Sequence, residues 1–180
     1  MDCVRRVRAR RVGLFLVPLL PAVMMTAPGP ALTEVSSDLD RTPIPLDYHV
    51  PQSEIRPDAE VQLLDLLNRT RRAHGLPPLV MDGSLRFVAR VHSQDMARRG
   101  YFGHVTMSGQ SFADRLSSVV REGFVGENVA IAATAEQANK AFAASPAHLS
   151  NMLEPRFHRV GIGVATAGAL GMMVTEDFAQ

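Results

Sequence analysis

Few residues in this chain of 180 could do chemistry, and none of them forms a self-sufficient local motif. The one cysteine is Cys3, so no thiolate nucleophile or cysteine-based metal site can be built away from the extreme N-terminus. His104 and His148 lie far apart and share no ligand spacing of the HExxH kind. Gly109-Gln110-Ser111-Phe112-Ala113 resembles a nucleophile elbow but lacks its final glycine and any preceding strand. Gly161-Ile162-Gly163 lacks the third glycine and the following helix of a dinucleotide loop, so both stretches are read as turn or strand glycines. His92 falls on an apolar helical stripe and is read as a core histidine rather than a ligand. Any chemistry must therefore come from side chains that the fold brings together.

The elements that would do so can be read from periodicity and punctuation. Leu63, Leu64 and Leu67 recur at helical spacing from Asp58 onward, Arg71 and Arg72 suit a C-terminal turn, and Gly75 stops it. A second helix begins near Asp82-Gly83-Ser84, carries Leu85, Val88, Ala89, His92 and Met96 on one stripe, and ends at Gly100. Gly103 to Gln110 reads as a loop, followed by a short helix from Ser111 to Val120. Thr134-Ala135-Glu136-Gln137 has capping-box form and opens a helix to Ala144. Ser145-Pro146 then starts another through Leu153, as N-cap plus proline in the first turn. Residues 160–164 and 172–178 read as two strands around a turn containing Gly168. Helices around a small antiparallel sheet give an α+β fold class.

The N-terminus is of another kind. Five arginines among residues 5–11 precede an apolar run from Val12 to Met25, and small residues follow at Ala27-Pro28-Gly29-Pro30-Ala31. This is the form of a cleavable secretory signal, placed at residues 1–31. The run is too short and too proline-interrupted for a spanning helix, so no stable membrane span is expected after cleavage. The arginine pairs are compatible with twin-arginine as well as general export. Cys3 leaves with the signal, so no disulfide framework is expected despite export. Losing five Arg and one Asp turns the net charge from +1 to about −3, which removes the only support for nucleic-acid binding. Residues 32–57 hold Pro43, Pro45, Pro51 and Pro57 without an apolar period and read as an extended or disordered leader.

The landmarks from residue 58 to 180 resemble, in order, a known family. They are Leu67-Asn68-x-x-Arg71, Gly75-Leu76, His92-Ser93-x-Asp95-Met96, Gly103-His104 and Gly126-Glu127-Asn128-Val129-Ala130. Ser145-Pro146-x-His148-x-x-Asn151-Met152-Leu153, Phe157, Gly161-x-Gly163 and Thr175-x-x-Phe178 follow. This stretch is similar to the CAP superfamily (cysteine-rich secretory, antigen 5 and pathogenesis-related 1 proteins), in its short cysteine-free bacterial branch. The resemblance implies an α-β-α sandwich with a small antiparallel sheet between helical layers. It also implies a cleft at His104, Glu127, Asn128, Ser145 and His148. The family's second acidic position falls near Ser145, so that carboxylate is missing. Phe142 stands where many relatives have tryptophan, and Glu176 where they have glutamine.

Two imidazoles and a carboxylate could hold zinc or another divalent cation, with His104 and His148 as its ligands. A polar network that only ties segments together is the alternative. At the level of function the resemblance implies a secreted, extracellular or envelope-located module that binds a lipid or other hydrophobic, envelope-derived ligand. Met107, Phe102 and Phe112 are candidate apolar walls beside the His104 loop. A metal-dependent hydrolase of peptides or envelope polymers, and a structural protein of the cell surface with residues 32–57 as its spacer, are the other readings.

Overall fold

The computed structural model describes residues 4–7 and 41–180. The expected signal therefore lies outside the described residues except at Val4–Val7, a strand (β1) paired antiparallel with residues 123–126.

Residues 41–56 are extended, as their prolines demand, yet they are laid onto the domain rather than hanging from it. Ile44–Pro45 (β2) pairs with Tyr101–Phe102 (β4), and Ile55 bridges to Ala165. The Ser53 hydroxyl donates to the Thr166 carbonyl at 2.7 Å. This segment could not be told from a loose leader by sequence, because its bonds go to partners remote in sequence, such as Gly100, Val164 and Thr166.

Helix α1 spans Pro57–Ala73, with proline in its first turn, Asp58 and Glu60 near its N-terminus, Arg71 and Arg72 in its last turn, and Gly75 beyond at φ 74°. Two residues of its resemblance motif act as clamps. Asn68 both donates to and accepts from the Leu79 backbone, and buried Arg71 donates to the carbonyls of Pro77, Met152 and Glu154. Val80–Met81 (β3) follows, then α2, Gly83–Arg99, where the Asp82 side chain caps the N–H groups of Ser84 and Leu85. The predicted stripe of Leu85, Val88, Ala89, His92 and Met96 is buried throughout, and Gly100 ends the helix in the left-handed region.

Helix α3 is shorter than expected, Phe112–Leu116, opened by a reciprocal capping box between Ser111 and Asp114. Strand β5, Gly123–Ala132, has interior residues buried on both faces, so it shows no alternation for a sequence reading to find. Helix α4 spans Ala135–Ala144 and α5 Pro146–Met152. Thr134 caps Gln137 as its motif implies, but the Gln137 side chain reaches back to the Ala133 N–H rather than to Thr134. Strands β6, Arg159–Thr166, and β7, Met172–Ala179, close the chain around a 3-10 turn at Gly168–Leu170.

The main sheet has the order β1-β5-β7-β6-β3, antiparallel except for the β3–β6 pair. Helix α2 lies over one face, and α1, α4 and α5 cover the other around Leu63, Leu67, Phe142, Phe157, Ile162, Val174 and Phe178. This is the expected α-β-α sandwich. Gly161 and Gly163 prove to be docking points rather than bland strand residues. A Cβ on Gly161 would lie 2.1 Å from the Leu85 backbone, and one on Gly163 2.2 Å from that of Ala89. Among the described residues no helix is long and apolar enough to cross a membrane.

Candidate functional site

Alternation along β5 sends Glu127 toward the α2–α3 side of the sheet and Asn128 toward the α4–α5 side. Glu127 is fully buried, and both of its oxygens are engaged. One accepts the Nδ1–H of His104 at 2.8 Å, and the other accepts from the Arg115 guanidinium on α3. Arg115 also donates to the His104 carbonyl at 2.9 Å, so a single side chain fixes both the loop and the carboxylate. Burial alone would raise the Glu127 pKa; the positive charge of Arg115 reverses this and holds it low, at about 2.

On the other side, Asn128 donates to Glu176 at 3.1 Å and to the His148 carbonyl at 3.3 Å, and Asn151 donates to the Asn128 side-chain oxygen at 3.0 Å. Gly-Glu-Asn therefore serves both layers, its glutamate orienting His104 and its asparagine tying down the backbone of α5. Glu176 is fully buried, and that burial pushes its pKa up to about 7 despite the Asn128 hydrogen bond.

The two histidines, from opposite layers, come together beside β5. Their ring centres are 6.5 Å apart and tilted by 47°. Each is backed by a phenylalanine edge, His104 by Phe112 at 6.2 Å and His148 by Phe142 at 5.3 Å. Of the three residues expected to converge, the rings of His104 and His148 meet, while Glu127 stands behind His104 with its two oxygens turned to Arg115 and His104. Ser145 is the N-cap of α5 as predicted, but its hydroxyl makes no capping hydrogen bond. Of the predicted walls, Phe112 is buried core, Phe102 is half-buried, and Met107 is exposed.

His92 is fully buried, and its Nε2–H donates to the Gly103 carbonyl at 2.9 Å. Desolvation lowers its pKa to about 4, so it is a neutral core histidine, as read. Sequence reasoning missed Arg115 and Asp177. Arg115 carried no local signal, since its partners are fixed only when the helix docks. Asp177, fully buried beside Glu176, left a trace that could have been followed: two adjacent acids inside an apolar strand.

The donor set does not match a tetrahedral zinc site. Zinc sites take at least three protein ligands, and with both Glu127 oxygens bonded to His104 and Arg115 only the two imidazoles of the expected set are left. Among the described residues no group of three or more His, Cys, Asp or Glu side chains is arranged to hold a metal ion.

Residues 64–178 match the profile of the cysteine-rich secretory protein family, CAP. The chain belongs to this family. Its CAP domain is 34% identical over 113 residues to the uncharacterized protein YkwD of Bacillus subtilis (strain 168), covering 62% of this chain and 44% of YkwD. It is 35% identical over 117 residues to the uncharacterized membrane protein YlbC of the same organism, covering 62% of this chain and 33% of YlbC. The chain thus spans less than half the length of these relatives. Among solved structures, it is similar to an extracellular SCP-domain protein of Bacillus anthracis str. Ames, with TM-score 0.60 and 29% identity, over 69% of this chain and 41% of that one. An outer surface protein of Borrelia burgdorferi has TM-score 0.65 at 14% identity, over 73% of this chain and 98% of that one, a likeness of fold alone.

Proposed function

We propose that this CAP domain is an exported binding module, acting outside the cell or in its envelope, for an amphiphilic envelope-derived ligand. The ligand's polar group would lie between His104 and His148, and its apolar part along the exposed Met107 side chain of the His104 loop. The observation that carries this reading is the pair of imidazoles 6.5 Å apart, each against a phenylalanine edge. Polar atoms with apolar backing suit an amphiphile better than a purely ionic ligand. The export-type N-terminus and the extracellular description of the Bacillus anthracis relative support the location.

Metal-dependent hydrolysis has less support, because Glu127 is consumed by Arg115 and His104 and no third donor among the described residues joins the imidazoles. The chain has no tryptophan, so a fluorescent fatty acid can be followed without indole background. The protein should bind it at micromolar levels, and His104→Ala and His148→Ala should each weaken binding roughly tenfold, the loss of about 1.4 kcal/mol of contact. Undetectable binding at high micromolar concentration, or full binding by both variants, would remove the reading. A parallel zinc titration should show no tight site.

A further inference from the structure

The register of the β5–β7 pair sets Glu127 directly opposite Asp177, on the same face of the sheet. Both carboxyl groups are fully buried, and neither oxygen of Asp177 finds a hydrogen-bond donor. The groups around Asp177 supply little positive charge. Arg115 from α3 is already bonded to Glu127, and the Nδ1–H of His104 is too. The α2 histidine, His92, is neutral because burial lowers its pKa to about 4. On the remaining side β6 offers Gly161, with the α2 backbone packed directly over it. One arginine therefore faces two adjacent carboxyl groups, and two such groups in a dry interior do not both ionise. Burial first, and then the charge on Glu127, raise the Asp177 pKa well above the usual carboxylate range, while Arg115 holds that of Glu127 low.

We propose that Asp177 is carried as the neutral acid and donates its hydroxyl hydrogen to Glu127, making a buried acid–carboxylate pair that supports the Glu127–His104 hydrogen bond from behind. The proton count is self-consistent. Glu127 keeps one negative charge, balanced by Arg115, and accepts from Asp177, Arg115 and the His104 Nδ1–H. His104 is thereby kept in the tautomer whose Nε2 is an acceptor. Asp177 is a positioning residue that touches no ligand, and its role stands whether or not the site binds an amphiphile.

The direct test is NMR titration of the protein labelled with carboxyl carbon-13 and ring nitrogen-15. Asp177 should still report a protonated carboxyl at pH 6, where ordinary aspartates have titrated near about 3.9, and His104 should report Nδ1–H. Asp177→Asn mimics the neutral acid and should keep that ring signature. The proposed acid has a higher pKa folded than unfolded, so its contribution is fully present below the unfolded value and falls away as pH rises. The Asn variant should therefore melt roughly 5 °C or more above the parent at pH 8, with the gain shrinking toward pH 5. An Asp177 carboxyl titrating near 4 in the parent protein would overturn the proposal even if the variant failed to fold. So would a variant destabilised equally at every pH.

Discussion

Glu176 and Asn128 illustrate how one buried residue sets a pH dependence that its neighbours cannot screen. Asn128 supplies one hydrogen bond to Glu176, whose other oxygen is buried without a partner. Because the Glu176 pKa rises from 4.5 to about 7, the folded chain holds this proton more tightly than the unfolded chain does. Its stability contribution is whole below about pH 4.5, declines as pH climbs toward 7, and levels off beyond, a loss of about 3 kcal/mol at 1.36 kcal/mol per pH unit. Glu176→Gln removes the ionisable group while keeping an acceptor for Asn128. The variant should be more stable than the parent at pH 8 and nearly equal to it at pH 4.5, as read from urea unfolding midpoints at each pH. A difference independent of pH would show that Glu176 is not the titrating group.

Between elements, the decisive contacts are those of the backbone. Helix α2 lies close enough to β6 that no Cβ fits at Gly161 or Gly163. The same approach carries the Ser93 hydroxyl to the Gly163 carbonyl at 2.9 Å and to Thr175 at 2.8 Å. Gly163→Ala should cost about 3 kcal/mol or more, since the atom it meets is backbone rather than a side chain that can turn aside. Equilibrium unfolding in urea measures this, and a loss below about 1 kcal/mol would mean that the helix can slide off the strand at little cost. The two glycines were visible in the sequence, but their purpose was not. A spacing of two in a strand says only that both lie on one face, and what covers that face is settled by packing.

Across the whole molecule, the extended N-terminal stretch belongs to the domain. The Leu46 N–H donates to the Gly100 carbonyl at 2.7 Å, the Val50 N–H to Ala97 at 2.7 Å and the Arg56 N–H to Val164 at 2.9 Å, while the Gln94 side chain donates to the Ser53 carbonyl at 2.9 Å. A spacer could be removed without thermal consequence. Here, a chain beginning at Pro57 should melt several degrees lower, because it exposes the edge of β4 and the C-terminal end of α2. Differential scanning calorimetry of the two lengths checks this, and coincident melting curves would restore the spacer reading.

Local chemistry alone determined where α1, α2, α4 and α5 begin and end, the two C-terminal strands, and the left-handed glycine that stops α2. Capping, proline geometry and helical periodicity act within a few residues, so a sequence carries them openly. The family's landmarks added which histidines and which glutamate to watch. Tertiary structure alone decided what that glutamate does. Its partners Arg115 and His104 lie 12 and 23 residues away, and Asp177 faces it across the sheet. Hydrogen bonds and charge interactions act over a few ångströms of space, and no rule of sequence spacing assigns those ångströms until the strands are in register and the helices are docked.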